Sequence, residues 1–475
     1  MAPMRDKLAQ GLYLLSISFF DFGSPLVRMI CLSHLLSLEE VGFASALSAV
    51  VAALEQVTDM ATYRCVFTSS REDFDEALAG AHAVGLLRGC FLAAVSLLGA
   101  PFVAHLFGRS QDWRAFAFLG VISFVRSLEH IETRVAERDY RYDGQFRVSL
   151  VSNGAGLLSL ILFAAIWRDH NALLASLFVQ SLLSTLMSHR EATRPFKIKF
   201  RTPFFKRAWN FGYPLMFNGA GLAAVGQGDR FIVGAMLGLP TLAVYSVSML
   251  AALVPVSLLF RVIQSVGLAG LHNAKGDGGL LTARLQAYAT MVPMLAGLYA
   301  CGLLMFLNPA VGFVFGQAFV VEKWVLALLT LNAFFNIART EPFTALLLHE
   351  GRTAALAVTN FVAFSGVTVS ALLCWAFPTL LSPLVGRLAG EVVSLITALR
   401  ATRDDFQAAR RHFLSTFSYS LAAILLSVSI LVFNPLGFQP LARFGTTFAV
   451  FLGFLVWGAL ALPKLLSEGY GKRSV

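Results

Sequence analysis

Apolar stretches, each close to the length that crosses a bilayer, recur along all 475 residues of the sequence. A transmembrane helix needs about 20 mainly apolar residues. Backbone groups in lipid must satisfy one another, which leaves helices and closed barrels as the spanning structures. The pattern predicts about fourteen helical spans, the first six at roughly 10–34, 42–65, 79–106, 114–134, 147–167 and 171–189. Six more follow at roughly 209–237, 241–268, 283–306, 323–348, 353–376 and 380–400, and a last pair at roughly 413–434 and 444–464. Only 13% of residues are charged and 57% are hydrophobic, whereas soluble domains carry about 25% charge. That is too little charge to cover a water-facing surface, so the expected class is an all-α polytopic membrane protein.

Loop charges test the count independently. With the N-terminus inside, the cytoplasmic segments collect most of the Lys and Arg, including Arg190, Arg194, Lys197, Lys199, Arg201, Lys206 and Arg207. The opposite loops hold Arg109, Arg114, Arg168, Lys323 and Arg443. A missed span would invert every later loop, so the bias supports an even number of spans with both termini cytoplasmic. The net charge of +10 then reflects positive-inside loops, and nucleic acid is not an expected partner because no soluble basic domain exists to bind it. Arg5 and Lys7 ahead of an apolar run imitate a signal peptide, but Asp21 and Arg28 interrupt that run and no A-x-A-like site follows. The segment reads as an uncleaved first span.

Six spans, a basic connector and six more suggest duplicated halves. Leu36–Ser45 echoes Leu237–Ser246, each joining a span's end to a short outside turn and a new span rich in small residues. The expected layout is residues 1–189 as an N-terminal lobe, 190–208 as a basic cytoplasmic connector, 209–400 as a C-terminal lobe and 413–464 as an added helix pair. The connector interleaves Phe196, Phe200, Phe204 and Phe205 with cations, a composition that suits the headgroup layer as well as a simple positive-inside loop.

Each charge at mid-membrane costs about 2.5–3.5 kcal/mol on insertion scales, so such residues face a cavity or a partner. Arg64, Glu132, Arg261 and Arg339, near cytoplasmic span ends, read as lobe-stabilising or snorkelling groups. Arg28, Asp59, Arg126, Asp229, Arg230 and Arg387 read as lining a water-filled cavity. Spacing pairs Arg126 with Glu129 and Arg387 with Glu391 on single helix faces. Several arginines in one cavity suit a diphosphate, because guanidinium binds phosphate through two hydrogen bonds and keeps its charge.

Catalytic signatures do not appear. There is no G-x-x-x-x-G-K-[ST] loop, G-x-S-x-G elbow or H-E-x-x-H. Asp73-Phe74-Asp75 has a D-x-D spacing, but a helix start behind Ser69-Ser70 explains it more economically. The five cysteines and nine histidines lack ligand spacing. No catalytic residue, metal or cofactor is expected.

Phe211-Gly212-Tyr213-Pro214-Leu215-Met216, the run Gly228-Asp229-Arg230-Phe231-Ile232-Val233-Gly234, and Leu237-Gly238 together resemble one span of a known family. So do Ala243-Val244-Tyr245-Ser246-Val247, Glu137-Arg138-Asp139-Tyr140-Arg141-Tyr142 and Leu38-Glu39-Glu40-Val41-Gly42. The resemblance is to the polysaccharide flippases, of the O-antigen and exopolysaccharide type, in the multidrug/oligosaccharidyl-lipid/polysaccharide exporter superfamily. It implies two six-helix lobes in a V with two added helices, in a bacterial inner membrane. It also implies an undecaprenyl-diphosphate-linked oligosaccharide, carried from the cytoplasmic to the outer leaflet by alternating access, with membrane lipid around it and H+ or Na+ as coupling ion. Arg28, Arg126, Arg230 and Arg387 would then attract the diphosphate, and Asp21, Asp59, Asp229, Glu129 and Glu391 would tune the cavity or carry a coupling proton. Two rivals are a cation or drug antiporter of the same fold, which needs a mainly acidic lumen, and a membrane enzyme of polysaccharide assembly, which needs a catalytic outside loop.

Overall fold

The computed structural model describes residues 4–70, 72–274, 278–403 and 407–433, with isolated positions between 445 and 456. Among the described residues the chain is helical throughout, without strands. Ten helices among the described residues are long and apolar enough to cross a membrane. The chain is a multi-pass membrane protein. Contacts divide it into two compact units, Met1–Ala243 and Val244–Val475.

In the first unit α1 (Met4–Leu35), α2 (Leu38–Val57), α4 (Phe74–Leu106), α5 (Trp113–Ser127), α7 (Asp143–Trp167), α8 (Asn171–Glu191) and α9 (Thr202–Leu237) fall on expected spans, with the short α3 (Thr62–Phe67) and α6 (Glu132–Val135) after α2 and α5. The packed pairs are α4 with α5, α7 with α8, α1 with α7 and α2 with α9. Two expected spans are broken. The span at 42–65 ends as α2 at Val57 and resumes as α3 after Ala61, whose φ of 45° turns the chain left-handed. Asp59 fixes the break by accepting the Ala61 amide at 2.9 Å, the local hydrogen bond that makes Asp favour turns over helix interiors. The span at 114–134 stops at Ser127 and resumes as the single turn of α6.

Close approach is set by glycine. A Cβ on Gly42 of α2 would lie 1.9 Å from the Leu239 carbonyl oxygen, and one on Gly219 of α9 would lie 2.3 Å from that of Gln56. At one end of the unit Arg109 pairs with Glu39, Glu40 and Asp112, while the His170 ring meets Glu40 at 2.8 Å. This cluster joins the start of α2 to the turns before α5 and α8.

At the other end the connector lies across the helix ends. Glu132 accepts the Thr193 amide (3.0 Å), its hydroxyl (2.6 Å), the Arg194 amide (2.9 Å) and the Arg194 guanidinium (2.9 Å). Arg194 also reaches Asp75, and Arg201 reaches Glu76. The Phe196 ring packs against His82, His130 and His189. Asp75 of the D-x-D triplet is therefore engaged by an arginine, and Asp73 by the Ser70 hydroxyl at 2.8 Å.

The second unit holds α10 (Leu239–Asn273) from Val244 on, α11 (Gly278–Val314), α12 (Lys323–Thr340), α13 (Phe343–His349), α14 (Thr353–Val362), α15 (Ser365–Ala376), α16 (Leu381–Ala401) and α17 (Gln407–Val432). Two more expected spans are broken here, 323–348 into α12 and α13 at Pro342, and 353–376 into α14 and α15 at Ala363–Phe364. Proline lacks the N–H that would continue the first of these. α17 packs on α11 and α12, and α15 lies on α16 through Gly366, Gly386 and Gly390. Most of the expected span at 444–464 falls outside the described residues.

Candidate functional site

The breaks in the two spans of the first unit leave a cavity of about 390 Å³ between α2, α4 and α5. Its lining holds Arg88, Arg126 and Arg134 together with Glu55, Asp59 and Glu129. Interrupted backbone is tolerated at membrane depth where it lines such a space, and here the freed carbonyl is used. Arg88 donates to the Glu55 carbonyl at 2.8 Å and to the Thr58 hydroxyl at 3.0 Å. Arg126 donates to both carboxylate oxygens of Glu55, at 3.1 and 2.9 Å. Glu129 is bound by Arg134 at 3.2 Å and by the Ser184 hydroxyl at 2.9 Å. The same-helix pairing that spacing suggests for Arg126 and Glu129 gives way to partners on other segments.

Arg28 lies on α1 within the same unit. Its guanidinium donates to Gln180, whose amide donates to Asn153 at 2.8 Å, so a polar ladder crosses α1, α8 and α7. Its Nε is buried without a hydrogen-bond partner. Among the described side chains no carboxylate pairs with it, and Arg126 adds electrostatic repulsion. A half-buried cation whose Nε is buried, held by a neutral amide and repelled by another cation, is poorly compensated, which is a costly arrangement.

The remaining expected residues are dispersed. Asp21 is on α1 with its side chain outside the described residues. Asp229 and Arg230 are on α9. Asp229 is 3% exposed and accepts the Arg230 amide at 2.8 Å, while the Arg230 guanidinium donates to Gln227 at 3.1 Å. Arg387 and Glu391 are on α16 of the second unit. Glu391 is 1% exposed and bound by Arg339 of α12 and by Asn336, so its ion pair also runs between helices. The first unit thus brings together Asp59, Arg126 and Glu129 at one cavity, with Arg28 within electrostatic reach. Sequence reasoning missed Glu55 and Arg134 there and gave Arg88 no role. Glu55 and Arg134 each carried one available signal, a charge inside an expected span.

A sequence model of the family described as polysaccharide biosynthesis protein matches residues 31–322. No curated protein matches the chain by sequence. Among solved structures, the chain is similar to the lipid II flippase MurJ in an inward closed conformation, with a TM-score of 0.70 and 12% identity over 95% of this chain and 99% of that one. It is also similar to an inward-facing multidrug resistance MATE family transporter of the MOP superfamily, with a TM-score of 0.56 and 15% identity over 85% and 96% of the two chains. A MOP superfamily transporter from Pyrococcus furiosus gives a TM-score of 0.51 and 14% identity over the same shares, 85% and 96%. At these identities the likeness shows a shared fold.

Proposed function

Because the chain belongs to the polysaccharide biosynthesis protein family, we propose that it flips a lipid-diphosphate-linked oligosaccharide from the cytoplasmic to the outer leaflet of a bacterial inner membrane. The cargo is a polysaccharide repeat unit on a polyprenyl carrier, as in the synthesis of O-antigen or exopolysaccharide. Movement is by alternating access of the lobes at 1–189 and 209–400 about the 190–208 connector, with the termini cytoplasmic and H+ or Na+ as coupling ion. The protein transports and does not catalyse a covalent step.

The observation that carries this reading is Arg28, a half-buried guanidinium whose buried Nε is unpaired, with no described carboxylate partner and a second arginine near it. An anion entering from outside the chain supplies the missing compensation, and diphosphate matches guanidinium geometry and charge. Arg28 and Arg126 are the proposed cargo cations, with Arg230 and Arg387 as further candidates. A cation exporter calls for an acid excess, whereas the three acids of the cavity, Glu55, Asp59 and Glu129, meet three arginines.

The test is export of surface polysaccharide by Arg28→Gln, alone and with Arg230→Gln, at matched membrane abundance. Export should fall at least tenfold in the single variant and stop in the double, while Arg28→Lys retains part of it. Normal export by the double variant would reject the assignment.

A further inference from the structure

The three cavity arginines are not held alike. Arg134 is bound to Glu129, whose side chain is 8% exposed and also fixed by Ser184. Arg88 is held by a backbone carbonyl and a hydroxyl at the end of α2. Both arrangements are built into helix ends. Arg126 differs, because it meets Glu55 through two hydrogen bonds from one nitrogen while the two side chains remain 50% and 27% exposed. Ion pairs exposed to this degree contribute little net stability. The pair is therefore easy to exchange, and it sits on the cavity wall.

A carboxylate presents to a guanidinium the same two-oxygen face that a phosphate presents. Glu55 thus occupies on Arg126 the place an anionic cargo group would take. If it moves away, its charge is not stranded. Arg88 already interacts electrostatically with Glu55 and Asp59, so a second guanidinium stands beside the displaced carboxylate. On the premise of the anionic-cargo reading above, we infer that Glu55 is a built-in competitor for Arg126. It holds the arginine while the cavity is empty, yields it to the diphosphate of a polyprenyl-linked cargo, and reclaims it as the cargo leaves. Its role is to set affinity: without it the site binds more tightly and releases more slowly.

A merely structural ion pair predicts the opposite, since removing it loosens the cavity and weakens binding. Glu55→Gln keeps the side-chain size and cancels the charge, and Glu55→Asp keeps the charge should the glutamine variant prove poorly folded. The full chain in nanodiscs is titrated with undecaprenyl diphosphate, and inorganic pyrophosphate is the competitor that separates diphosphate recognition from lipid-tail binding. Glu55→Gln should bind roughly fivefold tighter, the fold-change an exposed ion pair carries, and should flip more slowly in proteoliposomes. Glu55→Asp should stay close to wild type in both. The gain should vanish in an Arg126→Ala background. Unchanged or weaker binding by Glu55→Gln would overturn the inference while leaving the cargo reading intact, provided Arg28→Gln still abolishes binding. A gain that persists without Arg126 would overturn it as well. If the wild-type chain fails to bind undecaprenyl diphosphate, the cargo reading falls and takes the inference with it.

Discussion

Replacing Glu132 by Gln should release the connector from the first unit without unfolding that unit. Glu132 is 8% exposed and its two oxygens accept four hydrogen bonds, from two backbone amides, one hydroxyl and one guanidinium. Hydrogen bonds to a charged group contribute about 1.5–3 kcal/mol each, and removing one member of a buried ion pair costs about 3–5 kcal/mol. Two features reduce the sum here. Arg194 is 44% exposed and keeps Asp75 as a partner at 2.7 Å, and glutamine still offers one acceptor oxygen. A local destabilisation of about 2–3 kcal/mol follows, equivalent to roughly 30- to 150-fold in the opening equilibrium. Hydrogen–deuterium exchange read by mass spectrometry measures this directly, because opening equilibria set protection. Amides at Thr193 and Arg194 should exchange faster by that factor. Lys199, whose amide donates to the Ala79 carbonyl at 3.2 Å, should be little changed, and α17 should not change at all. Equal protection of Thr193 and Arg194 in variant and wild type would refute the clamp. Faster exchange throughout the first unit would refute its local character.

Gly42→Ala should destabilise the chain by about 1–3 kcal/mol, the usual cost of forcing a methyl group into filled space, because its Cβ would overlap the Leu239 carbonyl. Gly154→Ala, with nothing within 4 Å of the added carbon, is the control, and thermal unfolding in detergent ranks the two. Glu391→Ala should cost about 3–5 kcal/mol by leaving Arg339 without its ion-pair partner, since the Arg339 side chain is only 10% exposed. Export by that variant should fall only in proportion to the protein recovered in the membrane, and a loss beyond that would give Glu391 a direct part in transport.

Apolar length is a strong signal for where helices lie, and the expected spans from 10–34 to 413–434 each meet one helix or a broken pair. Breaks are a weaker signal, for a physical reason. Across Thr58–Ala61 and across Leu128–Ile131 the sequence stays mixed enough to pass for span, and what ends the helix is a set of acceptors: Asp59 for the Ala61 amide, and the Leu54 carbonyl for the Thr58 hydroxyl. Only Pro342 announces its break in the residue type itself. The connector was legible as basic and aromatic. Its attachment was not, because the acids that hold it, Asp75, Glu76 and Glu132, come from other segments.

The same distinction governs the site. That Arg28, Asp59, Arg126 and Glu129 needed a partner or a cavity was readable from the cost of charge in an apolar span. Which partner was not, since helical spacing permits a pair at i,i+3 or i,i+4 without compelling it. Arg126 is joined to Glu55, Glu129 to Arg134 and Glu391 to Arg339, each choice fixed by which segments pack together. Internal pairing settles those charges, and a settled charge says little about cargo. The functional information lies in what pairing leaves over. Arg28 has a glutamine where an acid would stabilise it, and Arg126 has an acid held loosely enough to exchange. A chain that only needed a stable bundle would place an acid opposite Arg28 and bury the pair at Arg126. On the proposed reading, one cation left uncompensated and another weakly compensated leave room for a counter-ion that arrives and departs.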